Sequence, residues 1–238
     1  MYYPVIIFMH ICAPGTTPYS TTISIIMPKS YFWVCIDVES TGFSRTNDCI
    51  IQFAAYANTG PGFCSYVHTH TSIPPMITKL TGVRQSHVTN APPFERVWTM
   101  FTQWLDAQRQ HMPPSIPTVL VVHNATFDMD MIIHGLVRGG LRPNVITDTM
   151  PLYLDSLKLA RRVFPRKTTP IPNHKLGTLY QHCNGIPMAN AHDALADVEG
   201  SYAVFCLKKK HVDSKSFARV SDRWNKWFPI PPQPPRSE

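Results

Sequence analysis

The 238-residue chain reads as an α/β fold, a mixed sheet with helices packed on it, and three observations lead there. Apolar runs rich in β formers lie at residues 31–36 and 118–123, as strands buried on both faces require. Apolar residues recur at helical spacing between and after those runs. An alternation of strands and helices follows an antiparallel start, which implies a mixed sheet.

Residues 31–36 (YFWVCI) form the first strand, which delivers Asp37 at its end. Residues 49–56 (CIIQFAAY) and 62–68 form two more, joined through Asn58-Thr59-Gly60-Pro61-Gly62, whose glycines and proline mark a hairpin turn. After Ile73-Pro74-Pro75 the segment MITKLTGV forms a short helix ending at Gly82. Phe94, Val97, Trp98, Phe101, Trp104 and Leu105 then recur at helical spacing behind Pro92-Pro93. They predict an amphipathic helix over 94–109 whose tryptophans belong to the core. A proline-rich break over 112–117 precedes the strand 118–123 (TVLVVH), which leads into a helix starting near Ala125. Residues 152–162 read as helical, with Leu154, Leu157 and Ala160 turned inward. A loop with Pro165, Pro170 and Pro172 follows, then a helix over 174–183 stopped by Asn184-Gly185, and a last helix from 193 to about 208. Lys208, Lys209 and Lys210 suit the negative end of that helix. The end, PIPPQPPRSE, has the composition of a disordered or polyproline segment.

This organisation predicts one domain over residues 31–210, an N-terminal extension over 1–30 and a basic, proline-rich tail over 211–238. The apolar stretches of the extension are too short to span a membrane. The first basic side chain other than His10 is Lys29, so the basic start of a signal peptide is lacking, and Met27 is a natural alternative start. Six cysteines show neither a C-x-x-C pair nor zinc-ligand spacing, which fits a reducing, intracellular setting. Lys plus Arg number 22 against 15 for Asp plus Glu, a net charge of +7, which favours an anionic partner such as nucleic acid. Lys158, Arg161, Arg162, Arg166, Lys167 and Lys175 follow one another without an intervening acid. They read either as a phosphate-tracking strip or as a solvated helix face.

Three separated stretches carry the chemistry: Asp37 and Glu39 in CIDVESTGF, Asp128 in HNATFDMDM, and His192 with Asp197 in AHDALADVE. Side chains at i and i+2 of a strand share a face, so Asp37 and Glu39 can reach one cation. Two adjacent carboxylates resist joint ionisation unless a cation sits between them. Taken alone, Asp37 also reads as a strand-end acid that caps the following loop. Hard oxygen ligands without a sulfur or imidazole cluster select Mg²⁺ or Mn²⁺ over Zn²⁺. Asp128 falls in the first turn of its helix, where the dipole favours a carboxylate. Asp130 lies about 200° further round, so only one of the two can face the sheet end. Phe127 reads as core or as a wedge between bases. His192 and Asp197 are about 140° apart on a helix, which places His192 on the loop, Asp193 at the N-cap and Asp197 one turn inside. A histidine that titrates near neutrality suits a general base for water. Two cations held by four acids can stabilise the attacking and leaving oxygens of a phosphoryl displacement.

The segments Asp37-Val38-Glu39-Ser40-Thr41-Gly42, His123-Asn124-Ala125-Thr126-Phe127-Asp128, and His192 with Asp197 five residues on resemble the three motifs of DnaQ-like DEDDh 3′→5′ exonucleases. LTGV (80–83), LDSLKLARRVFP (154–165) and KLGTLYQHCNGI (175–186) are similar to the corresponding segments of proofreading subunits of bacterial DNA polymerase III. The resemblance runs from about residue 31 to 208. It implies an RNase H-like fold with a mixed five-stranded sheet flanked by helices, and release of nucleoside 5′-monophosphates from a 3′ end. It also implies Asp37, Glu39, Asp128 and Asp197 as ligands of two divalent cations, Mg²⁺ or Mn²⁺, His192 as general base, and Glu39 as an aid in positioning the nucleophile or the terminal 3′-OH. Ser40, Thr41, Phe43, Leu80 and Phe127 match positions that line the terminal-nucleotide pocket; Ser40 stands where threonine is frequent. The expected partner is nucleic acid with a free 3′ end, DNA favoured over RNA, with a polymerase as a possible further partner. RNA trimming and a non-catalytic nucleic-acid-binding platform are the alternatives to this reading.

Overall fold

The computed structural model describes residues 30–228 apart from residues 58, 143 and 191. The expected N-terminal extension with its alternative start at Met27, and the proline-rich end over 229–238, lie outside the described residues.

Among the described residues six strands form one sheet: β1 (Phe32–Ser40), β2 (Ile50–Tyr56), β3 (Phe63–Tyr66), β4 (Thr118–Val122), β5 (Leu152–Asp155) and β6 (Phe217–Arg219). Their order across the sheet is β3-β2-β1-β4-β5-β6. The first three strands pair antiparallel, β1, β4 and β5 run parallel, and β6 returns antiparallel to β5. The helices are α1 (Pro75–Thr81), α2 (Gln85–Val88), α3 (Phe94–Arg109), α4 (Ala125–Arg138), α5 (Asn144–Thr147), α6 (Ser156–Val163), α7 (Leu176–Asn184), α8 (Ala194–Lys208) and α9 (Val220–Trp227).

The period-2 alternation of β1 decides which helices cover which face. Val34, Ile36 and Val38 enter the larger core with α3, α4 and α9, where Phe53 lies against Phe63, Phe94, Trp98 and Phe101. Cys35 points the other way and packs with Val119, Val121 and Leu154 beneath Ala194, Val198 and Phe205 of α8. Trp98 is a core residue as expected, and Trp104 packs on the same core while its Nε1–H donates to the Pro61 carbonyl at 2.9 Å. Phe53 is fully buried, and truncating such a ring costs about 3–5 kcal/mol.

Two expectations change. Residues 152–162 form a strand and a helix, because Leu152–Asp155 pairs with Val119 to Val122 of β4. Asp155 then starts α6 as its N-cap, accepting from the backbone N–H of Leu157 at 3.0 Å and of Lys158 at 3.2 Å. Ser156, Leu159 and Ala160 are the buried residues of that helix, and Leu157 is only half-buried. The sheet has six strands where five were expected, because Phe217–Arg219 adds β6 at its edge. That strand and α9 come from the stretch read as tail; Val220 and Trp224 are buried in the larger core.

Lys208 ends α8 as expected, but its side chain is fully buried, its Nζ has no hydrogen-bond partner among the described residues, and it lies 5.8 Å from the centre of the Phe164 ring. Burial pulls its amine down to about 8.

Candidate active site

Asp37 and Glu39 leave the same face of β1, opposite Ala54 and Gln52 of β2, and the register slips immediately afterwards between Glu39 and Ser40. α8 packs across β1 and β2 on that face and carries Asp197 in its first turn. Asp193 caps α8 by accepting from the Ala196 N–H at 3.1 Å, which sets where Asp197 falls. Asp37, Glu39 and Asp197 each offer a carboxylate oxygen within 4.8 Å of the others. All three are half-buried and reachable from one side.

Asp128 approaches from α4 on the opposite layer, in the first turn after β4. It is buried, and its Oδ1 accepts from the Val38 N–H at 3.3 Å, between the two acids of β1 in sequence. It stands beside the other three and outside their 4.8 Å set. Asp130 faces elsewhere, bound to Arg223 and, at 3.1 Å, to Arg45. The helical angle between Asp128 and Asp130 therefore separates them as expected.

Burial raises the carboxyl of Asp37 well above its ordinary range, and the neighbouring Asp128, Glu39 and Asp197 raise it further. Burial, then Asp197 and Asp128, push Glu39 up to about 8. Asp128 is pushed up to about 7 by burial, against the lowering by its backbone N–H bonds. Asp197 is raised by burial, against the His192 N–H and imidazole. None of the three ion pairs among the described residues involves any of these acids. A set of hard oxygen donors that repel one another and have no arginine or lysine can hold divalent cations of the Mg²⁺ or Mn²⁺ type.

His192 sits on the loop before α8, exposed and at a positive φ of 70°. Its backbone N–H donates to the Asp197 carboxylate at 3.3 and 3.4 Å, so loop and helix are fixed to each other. An open cleft of about 410 Å³ lies there, lined by Leu80, Thr81, Gly82, Asn190, His192 and Asp193. Leu80 is exposed, as is Phe43 at 68%. Phe127 is partly buried against the larger core. Ser40 and Thr41 are buried and turned into their own loop: Ser40 Oγ donates to the Gly42 carbonyl at 2.6 Å, and Thr41 Oγ1 donates to Asp48 at 2.8 Å. Asn190 is a cleft residue that sequence reasoning passed over; it takes a φ of 51°, and the one signal in the sequence is its residue type, since asparagine tolerates that region. Of the basic strip, Arg162 is engaged with Asp213, the His211 carbonyl and Ser216, whereas Lys158, Arg161, Arg166, Lys167 and Lys175 are exposed.

A family model described as Exonuclease (RNase_T) matches residues 34–205. The chain is 31% identical over 189 residues to a DNA polymerase III PolC-type of Bacillus cereus, a match covering 78% of this chain and 12% of that protein. It is 30% identical over 184 residues to a protein of the same name from Clostridium perfringens, covering 74% of this chain and 11% of the relative. The chain thus spans about an eighth of the length of these curated relatives. Among solved structures, cell-death related nuclease 4 (CRN-4) superposes with a TM-score of 0.60 at 17% identity, over 76% of this chain and 64% of that one. The zinc-bound E. coli ExoI–ssDNA complex gives 0.60 at 20% identity, over 77% and 41%. At these identities the structural likeness speaks for the fold.

Proposed function

The chain belongs to the RNase_T exonuclease family, with its RNase H-like α/β fold, and from that premise we propose that it is a 3′→5′ exonuclease that hydrolyses single-stranded or frayed DNA ends to nucleoside 5′-monophosphates. The observation that carries the reading is the set of four carboxylates without a cationic partner, gathered where β1, α4 and α8 meet beside the His192 cleft.

In this reading Asp37, Glu39, Asp128 and Asp197 hold two divalent cations, Mg²⁺ or Mn²⁺, and when bound these neutralise charge on the attacking and leaving oxygens of an in-line displacement. His192 accepts the proton of the attacking water as its oxygen bonds to phosphorus and the bond to the 3′ oxygen of the preceding nucleotide breaks. The exposed position of His192 lets its ring turn toward the scissile phosphate, while the bond from its N–H to Asp197 keeps the loop in register. Glu39, half-buried beside Asp37 and Asp197, positions the nucleophile or the terminal 3′-OH. Leu80 and Phe43 offer apolar surface to the terminal base and sugar, and Phe127, Ser40 and Thr41 shape the wall beneath them. Exposed Lys158, Arg161, Arg166, Lys167 and Lys175 follow the phosphate backbone. The PolC-type relatives support a polymerase as partner, and five free thiols among the described residues support an intracellular setting.

The test is end-labelled single-stranded DNA and RNA of matched sequence, incubated with Mg²⁺ and wild-type protein or Asp37→Ala. Wild type should shorten the DNA stepwise from its 3′ end and act more slowly on the RNA. The variant should be slower by at least about 10³-fold, the scale of transition-state charge that a lost metal ligand leaves unbalanced. Equal rates for the variant, or activity in EDTA, would overturn the mechanism; faster digestion of RNA would overturn the substrate.

A further inference from the structure

The loop from β1 to β2, residues 41–49, starts two residues after Glu39 and is organised around one carboxylate that the metal cluster does not use. Asp48 is half-buried and in none of the ion pairs among the described residues. Its two oxygens serve different parts of the loop: Oδ1 accepts from Thr41 Oγ1 and Oδ2 from the Ser44 backbone N–H, each at 2.8 Å. Bonds to a charged acceptor are the strong ones.

The rest of the loop closes on this carboxylate. Thr41 Oγ1 accepts in turn from the Cys49 N–H at 3.0 Å, and the Thr41 N–H donates to the Cys49 carbonyl at 2.9 Å, so the two ends of the loop are tied together. The Asp48 N–H donates to the Ser44 carbonyl at 2.9 Å. From α4, Arg138 donates to the Thr46 and Asp48 carbonyls at 3.2 and 3.0 Å. A Cβ on Gly42 would stand 2.6 Å from Oδ2 of Asp48, so only glycine there leaves the carboxylate in place.

This frame presents Phe43, the one large apolar side chain of the loop, 68% exposed between the two residues that the Asp48 carboxylate touches. We propose that Asp48 is a positioning residue that holds Phe43 as a fixed apolar platform for the terminal nucleotide. The proposal rests on the nuclease reading and adds a residue to it: Asp48 acts through the backbone of Gly42 and Ser44. A ring on an already ordered backbone binds a base without the cost of ordering the loop. That gain belongs to binding and leaves the chemical step alone, so it is read in KM rather than in kcat.

The experiment measures steady-state kinetics on single-stranded DNA for Asp48→Ala, Gly42→Ala, Phe43→Ala and the double variant Asp48→Ala/Phe43→Ala, together with amide hydrogen exchange of the substrate-free full chain. Asp48→Ala should raise KM by about tenfold, the size of one lost base–aromatic contact, with kcat within about twofold of wild type. Gly42→Ala, which displaces the same carboxylate, should do likewise, and it carries the test if Asp48→Ala does not fold. The double variant should match Phe43→Ala in KM, because the two residues act as one unit. The Ser44 amide should be protected in wild type and exchange freely in Asp48→Ala, while Asp48→Asn, with one acceptor oxygen left, should recover part of both the protection and the KM. An unchanged KM in Asp48→Ala, additive KM effects in the double variant, or retained protection of Ser44 would overturn the proposal alone. A wild-type chain that leaves DNA intact would overturn the nuclease reading and this proposal with it.

Discussion

Asp128 and Asp130 sit two residues apart on one helix, both buried, and their surroundings are opposite. Asp130 is enclosed by guanidinium: Arg223 binds both of its oxygens and Arg45 adds a third contact. Its charge is cancelled inside the protein, and the contact ties α9 and the β1–β2 loop to α4. Asp128 receives a backbone N–H and no cation, and three further carboxylates surround it. The contrast teaches that burial alone does not separate a structural acid from a proposed ligand. What separates them is whether the chain supplies the countercharge. By that rule Asp213, paired with Arg162, falls with Asp130, and Asp37, Glu39 and Asp197 fall with Asp128.

The sharpest way to break this comparison is the same substitution at both positions. Asp128→Asn should lower the nuclease rate by about 10³-fold while leaving metal-free stability unchanged or raised, because it removes a repelling charge and no ion pair. Asp130→Asn should do the reverse, costing about 3 kcal/mol of unfolding free energy by leaving Arg223 unpaired, with the rate per folded molecule preserved. Urea denaturation beside the exonuclease assay measures both, and similar behaviour of the two variants would sink the distinction. A somewhat smaller loss is expected at His192: His192→Ala should reduce kcat by about 100-fold with Mg²⁺ binding intact, as loss of a general base does. An unchanged rate would remove it from that role.

The smallest effect is on pH dependence. Raised carboxyl groups mean that the folded, metal-free chain holds protons that the unfolded chain has released, so stability falls as pH rises through the folded values. Glu39 at about 8 and Asp128 at about 7 set the window between pH 6.5 and 8. Buried His123, pulled down to about 4, works in the opposite direction only below its ordinary 6.5. The melting temperature in EDTA should therefore drop by about 2–5 °C across that window, and Mg²⁺ should cancel the drop by replacing the protons. A flat profile in EDTA would show that the acids are not held protonated.

The alternation of β1 put Asp37 and Glu39 on one face in the sequence itself; the 3.6-residue period showed that only one of Asp128 and Asp130 could face the sheet end, and the family resemblance pointed to Asp128. The N-cap role of Asp193, which places His192 outside α8, was legible for the same reason: local chemistry decides it. Long-range pairing is what hid the rest. The leucines of LYLDSLKL suit a helix and a strand equally, and only the register with Val119 to Val122 turns the first four residues into β5. Phe217–Arg219 is too short to announce itself, and its edge position depends on β5 existing. The burial of Lys208 was not legible, because it depends on where the Phe164 ring comes to rest. The inward turn of the Ser40 and Thr41 side chains into their own loop was hidden too, since Asp48 and the Gly42 carbonyl capture their hydroxyls.

The late position of β6 bears on how the molecule is made. In N-to-C synthesis α8, and with it Asp197, leaves the ribosome before Phe217–Arg219 does, and Arg223 emerges later still. The outer edge of β5 therefore waits open, and Asp130 waits without its bidentate arginine, at a stage when all four acids of the cluster already exist in the nascent chain. Chain order thus puts the acids of the cluster ahead of the strand and the arginine that close the sheet edge and neutralise Asp130.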